Sequence, residues 1–462
     1  MSEETQAPVP AKQPKASKKK KGSKNPAEIT PEYIAEQRAK REAAKKAKKD
    51  ALIAQGIDPE QVDTPPDLRF ISRPILKIPR DESDPLFSKN GVNVKIMTYN
   101  VLAQALIRRT LFPTSGNAVK WFKRSQVLLS EFKHYNCDVL LLQEVDHVQF
   151  NSFWRSEFEK LGYGAVFNRW GDKNHGVAIF FRNITKNVGL ILALKFKDSI
   201  LQEFPKTDKK GILVGTTHLF WHPFGTYERT RQTYVILNKF REFINRVQVL
   251  QKGSWFHFFG GDFNAQPYDA PYLSITSKPI HYDTRCKTVI ECSTSFQYSK
   301  LREGLEDEDE DGGNIEKFGE NQPQHPVPDS FTPTEEQAQI VKDMEDLHNL
   351  QPMRAISLYS VAYKLLHPEN SGLDNEKGEP EVSNWAHAWR GLLDYIFYIT
   401  EWDLKSDSQV KSLSEFEQLT NVKINGLLRM PPGKEMTEHG QPHEGEYPSD
   451  HLCMIADLTL IL

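Results

Sequence analysis

The stretch Val94-Lys-Ile-Met-Thr-Tyr-Asn100 decides how this chain is read. A short apolar run of strand type, Val94–Met97, closes on an amide. Five further segments end in, or carry, an acid, amide or imidazole: Leu-Leu-Gln-Glu144, Gly-Thr-Thr-His218, Gly-Gly-Asp262-Phe-Asn264, Leu-Leu-Asp394-Tyr and Pro-Ser-Asp450-His451. One such residue says little, because a strand-terminal Asn or Asp ordinarily caps a turn. Their recurrence says more, because open α/β sheets gather ligand sites at the ends of their elements.

Outward from these segments, Val139–Leu142, Val177–Phe181, Ile212–Thr216, Trp255–Phe259, Tyr395–Ile399 and Met454–Leu460 also read as strands. Between them Trp121, Leu128, Phe132 and Tyr135 recur at helical spacing, as do Tyr234, Leu237, Ile244 and Val247. Both stripes read as core-facing, and the fold class is α/β.

The 462 residues are 38% hydrophobic and 26% charged. That suffices for a sizeable core, and no stretch reaches the roughly 18 apolar residues of a membrane span. Cys137, Cys286, Cys292 and Cys453 form no CxxC pair, which argues against a disulfide scaffold and against a zinc module. Reduced thiols and an intracellular protein are expected, cytoplasmic or nuclear.

The net charge of −3 is an average over unlike parts. Fourteen Lys/Arg against seven Asp/Glu put residues 1–50 at +7 and leave the rest at −10. With Lys18–Lys21 and a single aromatic, Tyr33, this tail cannot fold on a core of its own; Thr30–Gln55 reads as a solvated, charged helix. The tail is either a solubilising extension, a phosphate-attracting arm or an address. No apolar core follows its basic residues, so a secretory signal is not expected. The folded region is expected over 68–462. A disordered acidic insertion is expected at about 302–336, containing Glu306–Asp311, and a flexible loop near Glu369–Ser383.

The chemistry of the six segments is consistent. Carboxylate and amide oxygens are hard ligands of the kind Mg²⁺ prefers, and no HExxH helix points to zinc. Metal-assisted attack on a phosphate ester needs a cation to neutralise charge, a carboxylate to take a proton from water, and an imidazole facing the developing charge. The inventory supplies each part.

In order and spacing, Asn100, Gln143-Glu144, Thr217-His218-Leu219, Gly261-Asp262-Phe263-Asn264, Asp394-Tyr395-Ile396 and Ser449-Asp450-His451 resemble the endonuclease/exonuclease/phosphatase superfamily over about 68–462. The resemblance implies a two-sheet β-sandwich flanked by helices, with the site at one end of the sheets. Tyr99–Ala103 and Leu393–Tyr398 are similar to the nocturnin-like and deadenylase-like branch. His218–Pro223 with Glu228–Gln232 looks most like the fungal Ngl-type RNA 3′-exonucleases. The branch has Asp-Gly-Cys-Ala where this chain has His175-Gly-Val-Ala178, which favours the fungal group and weakens a transfer of poly(A) specificity.

The resemblance implies Mg²⁺, or Mn²⁺ in its place, held by Glu144 with Asp450 at its edge, and Asn100 orienting the carboxylate and phosphate. It gives Asp262 the attacking water, Asn264 and His218 the phosphate oxygens, and His451, paired with Asp394, the developing charge. Trp389 and Pro223 would enclose the terminal base, with Arg229, Arg231 and Lys173 as phosphate contacts. The implied substrates are single-stranded RNA 3′ ends, including ribosomal RNA precursors such as 5.8S, with no membrane partner. Poly(A) deadenylation and removal of the 2′-phosphate of NADP(H) are the alternatives.

Overall fold

The computed structural model describes residues 38, 40–43, 46–47, 61–81, 84, 86, 90–182, 191–295, 325–387, 389–407 and 409–462. Residues 1–63 and 64–462 are separate units. In the first, the described residues between Arg38 and Ala47 are helical and exposed, and the rest of Thr30–Gln55 lies outside the described residues. The Lys18–Lys21 run lies outside the described residues.

In the second unit, side-chain alternation sorts two cores. In β2 (Gly91–Asn100), Val94 and Ile96 join one core while Met97 and Tyr99 join the other. In β3 (Val139–Asp146), Val139 and Leu141 separate from Leu140 and Leu142 in the same way. A strand buried on both faces reads as a near-continuous apolar run, which is what these segments show. Each fully buried Leu or Phe stabilises the fold by roughly 1.5–3 kcal/mol.

The first sheet has seven strands in the order β1 (Ile75–Lys77), β13 (Val422–Leu428), β14 (Met454–Ile461), β2, β3, β5 (His175–Arg182) and β4 (Tyr163–Asn168). Its outer face packs on the helix Trp121–Tyr135 through Leu128 and Phe132. The second sheet has five strands in the order β6 (Ile191–Lys195), β7 (Lys209–His218), β8 (Ser254–Asp262), β12 (Asp394–Glu401) and β9 (Met353–Ser357). It lies against the inner face of the first. At Gly260 of β8 an added Cβ would come within 2.9 Å of both Leu141 Cδ1 and the Tyr395 carbonyl oxygen, so a side chain there would have to displace its neighbours. On the far face, Phe240 of the helix Thr226–Gln251 meets Phe259 edge-on at 6.0 Å. The result is a two-sheet sandwich flanked by helices, as expected.

Strand direction gathers the polar residues at one end. β2 runs parallel to β3 with Asn100 beside Gln143, and β7 runs parallel to β8 with His218 beside Asp262. Antiparallel β12 begins at this same end, with Asp394 beside Asp262. A small hairpin, β10 (Asn384–Trp385) with β11 (Arg390–Gly391), stands next to it, and Asn384 bridges to His451.

Two expectations change. The segment Glu369–Ser383 is irregular but packed rather than loose, because buried polar side chains anchor it. Asn370 Nδ2 donates to the Met430 carbonyl at 3.0 Å, and Tyr272 Oη donates to Glu379 Oε1 at 2.7 Å. The expected insertion ends inside a helix, since Thr334 and Gln337 form a capping box on Glu335–Asn349. The acidic run Glu306–Asp311 lies outside the described residues. Among those described, no helix is long and apolar enough to cross a membrane, and the four cysteines are buried and unpaired.

Candidate active site

The site begins with a defect in β3. Its pairing with β5 shifts register between Leu142 and Val145, and Glu144 there has φ of 54°. Such a bulge re-aims a side chain, and a left-handed glutamate is strained backbone kept in place by its surroundings. The carboxylate is fixed at both oxygens: Oε1 accepts from Asn100 Nδ2 at 2.8 Å, and Oε2 from the Ala103 amide at 2.9 Å. Burial pushes this carboxyl up, but His218 and His175 together with these hydrogen bonds outweigh it and hold Glu144 below the usual range.

Asn100 Nδ2 also donates to Asp262 Oδ2 at 3.0 Å, which joins the two sheets through one amide group. The other oxygen of Asp262 accepts from the Asn264 backbone amide at 2.9 Å. Asn264 is itself left-handed, with φ of 47°, and its side chain donates to the Leu219 carbonyl at 3.0 Å. Just before Asp262, Gly261 has φ of 154°, and a Cβ there would sit 2.1 Å from the Thr217 carbonyl oxygen. The turn that presents Asp262 and Asn264 therefore requires glycine.

Two imidazoles face Asp262 Oδ2, each with Nε2 at 3.6 Å: those of His218 and His451. His451 Nδ1 contacts Asp394 Oδ2 at 2.7 Å, and the Ser383 hydroxyl donates to the same oxygen at 2.8 Å. Burial opposes a charge on His451, but Asp394 and Asp262 reverse this and raise it well above its ordinary value. Both carboxylates therefore favour the charged form of the ring. Asp450 is pushed up to about 6 by burial, with Glu144 adding repulsion against the pull of His451 and Arg124.

What this arrangement can do is bind a hard cation at carboxylates, hold a water at Asp262, and meet an anionic group with a cationic ring.

Residues 97–451 match the Endonuclease/Exonuclease/phosphatase family. The chain belongs to this family. It is 56% identical to RNA exonuclease NGL2 of Saccharomyces cerevisiae, with 96% of this chain and 92% of that one covered. It is 41% identical to the probable RNA exonuclease NGL3 of the same organism, over 94% and 90%. The crystal structure of ANGEL2, a 2′,3′-cyclic phosphatase, in complex with adenosine-2′,3′-vanadate superposes with a TM-score of 0.54. That match is 22% identical and covers 85% of this chain and 99% of that one. At that identity the likeness concerns the Endonuclease/Exonuclease/phosphatase fold alone.

Of the residues singled out from sequence, Asn100, Glu144, His218, Asp262, Asn264, Asp394, Asp450 and His451 come together. Trp389 is exposed between β10 and β11, and Pro223 is half-buried in the loop after β7. Lys173 is exposed in the turn before His175, the residue paired with Asp146 in the sheet. Arg229 is a correction. Its guanidinium is buried, with Nη1 donating to the Phe220 and His222 carbonyls at 3.1 and 2.6 Å and Nη2 to Thr226 Oγ1 at 3.0 Å, so it shapes the His218–Pro223 loop instead of meeting phosphate. Arg231 is exposed and makes a two-pronged ion pair with Glu228 at 2.8 and 2.6 Å through Nε and Nη2.

The sequence reading missed Arg124. It is fully buried and donates to the carbonyls of Val101, of Leu102 at 2.6 Å and of Pro448 at 2.8 Å, tying the loop after Asn100 to the loop before Asp450. The signal was present. Arg124 lies three residues after Trp121 and four before Leu128, so a cation stands on the core-facing stripe. Ser383 was also missed, since a lone serine carries no pattern; Ser449, read only as part of the Ser449-Asp450-His451 motif, was given no role and donates to the Asn100 carbonyl at 2.7 Å.

Proposed function

We propose that this chain is a Mg²⁺-dependent 3′-to-5′ exoribonuclease that hydrolyses RNA phosphodiesters to nucleoside 5′-monophosphates. Its place is in RNA 3′-end processing, such as maturation of 5.8S ribosomal RNA. The observation that carries this reading is the relay from Glu144 through Asn100 and Asp262 to His451 and Asp394 across the end of both sheets. Similarity to NGL2 and NGL3, RNA exonucleases by name, supports RNA as the substrate.

The donor set fits a hard divalent cation. Glu144 and Asp450 would hold it, and it would relieve the repulsion that Glu144 exerts on Asp450 in addition to the burial they share. When bound, Mg²⁺, or Mn²⁺ in its place, supplies electrostatic stabilisation of the scissile phosphate. Asp262, aligned by Asn100 and the Asn264 amide, orients the attacking water and takes its proton. His451, kept charged by Asp394 and Asp262, faces the developing negative charge, and His218 adds a second imidazole contact. Asn264 has spent one side-chain N–H on Leu219 and keeps the other for a phosphate oxygen. Trp389 and Pro223 receive the terminal base, Lys173 attracts the backbone, and the basic tail tethers RNA.

One substrate comparison tests the reading. 5′-Labelled single-stranded RNA should shorten stepwise, each removed residue appearing as a nucleoside 5′-monophosphate. RNA left intact while phosphate leaves NADP(H) or a 2′,3′-cyclic end would overturn it, and degradation of poly(A) alone would make the enzyme a deadenylase. Removing residues 1–60 should lower RNA affinity and flatten its salt dependence while trinucleotide turnover persists; an unchanged slope removes the tether.

A further inference from the structure

Thr437-Glu-His439-Gly-Gln-Pro-His443-Glu-Gly-Glu446 forms an irregular loop that leads directly into Asp450 and His451. A turn closes it: the Glu446 amide donates to the His443 carbonyl at 3.2 Å, and Gly445 adopts φ of 80° at its corner. The turn brings three side chains together. His439 Nε2 lies 3.0 Å from Glu446 Oε1, and His443 Nδ1 lies 3.5 Å from the same oxygen. The two imidazole rings are 3.9 Å apart, and all three donor atoms lie within 4.8 Å of one another. Ligand atoms at about 2.0–2.1 Å around a tetrahedral zinc ion are separated by roughly 3.3 Å, and the two measured gaps bracket that value.

Two further observations point the same way. His443 Nδ1 is buried and has no hydrogen-bond partner among the described residues, although it faces the carboxylate. Glu446 is held from behind: its Oε2 accepts from Gln441 Nε2 at 2.6 Å and from the Thr437 hydroxyl at 3.3 Å, which leaves Oε1 turned toward the rings. Gln441 is itself fully buried. Carboxylate ligands anchored in this way are the usual support of a metal site.

We propose that His439, His443 and Glu446 form a second metal site of zinc type, separate from the carboxylate-rich centre, with water as the fourth ligand. Two imidazoles and one carboxylate suit zinc, whereas Mg²⁺ takes oxygen ligands. The site clamps structure around the catalytic end. The Gln441 amide donates to the Trp385 carbonyl at 2.8 Å, and Trp385 Nε1 donates to the Thr437 carbonyl at 2.9 Å. The same loop therefore braces the hairpin that carries Trp389 and the segment that carries His451. The absence of CxxC and HExxH patterns hides such a site from sequence, because its ligands are gathered by a turn.

The test uses the full-length chain, stripped by chelator and dialysed against Zn²⁺ in excess Mg²⁺, with bound zinc measured per chain. Wild type and Glu144→Gln should each retain one zinc, and the double variant His439→Ala/His443→Ala should retain none. Gln441→Ala, which keeps every ligand but releases Glu446, should weaken binding roughly 10–100-fold. Zinc retained by the double variant, or lost from Glu144→Gln, overturns the proposal. A measurement on wild type alone guards against misfolded variants. Co²⁺ added in excess Mg²⁺ should give the intense visible band of a four-coordinate ion, and a weak six-coordinate spectrum in its place overturns the site.

Discussion

Glu144 and Glu379 are both glutamates withdrawn from bulk water, yet their surroundings move them in opposite directions. Glu144 lines the site and is held below the usual carboxylate range: burial pushes it up, but two histidines, an asparagine and a backbone amide prevail. Glu379 is sealed in the core, where burial pushes it up to about 7 and the hydroxyls of Ser357 and Tyr272 offset only part of that. The difference teaches that burial alone does not make a functional carboxylate. What distinguishes the site is the set of imidazole and N–H groups aimed at one charge.

The comparison breaks first at Glu144 itself. Glu144→Gln keeps the shape and the Ala103 hydrogen bond but removes the charge. RNA hydrolysis should fall by at least roughly 10³-fold while the thermal transition barely moves. Single-turnover assays beside melting curves check it, and a variant that melts early while staying active would make Glu144 structural. Asp394→Asn should lower kcat by roughly 100-fold or more with KM little changed, because His451 loses the partner that keeps it charged. A rise in KM at constant kcat would instead assign Asp394 to substrate binding. Trp389→Ala should weaken single-stranded RNA binding by about 1–3 kcal/mol while leaving the rate at saturation nearly intact, and fluorescence titration reads it. Unchanged affinity would mark Trp389 as an exposed edge of its hairpin.

The parts of the contrast differ in how well they can be read from sequence. Apolar runs ending in acids and amides were legible because a strand has period two and parallel strands bring their C-terminal ends together. That is enough to place Asn100, Glu144, His218 and Asp262 at one end. The bulge at Glu144 was not legible, since it depends on the pairing of β3 with β5. Arg229 misled because an Arg in a basic helical segment reads as a surface charge until the carbonyls of Phe220 and His222 are seen around it. The segment holding Glu379 misled in the opposite sense: a Gly- and Glu-rich stretch reads as a solvated loop, and only the fold supplies Tyr272 as a partner. Chemistry carried by local pattern is visible early, whereas chemistry made by long-range burial is not.

The smallest effect is the sharpest control, and it concerns Glu379. Its folded-state pKa lies above the unfolded value, so between those two values the native state binds more protons than the unfolded chain. Stability therefore falls as pH rises through this window, because the buried group must either ionise or keep its proton against the solution. Glu379→Gln has nothing to ionise and escapes that loss. Urea unfolding at pH 6 and pH 8 should show the variant gaining about 1 kcal/mol on the wild type over this interval, whatever fixed difference the lost carboxyl introduces. Activity at saturating RNA should stay the same, since the Glu379 carboxyl bonds to Tyr272 and not to the groups of the site. If the two proteins keep a constant gap across this range, Glu379 ionises as easily as an exposed carboxylate. The contrast with Glu144 would then rest on hydrogen bonding alone and not on burial set against charge.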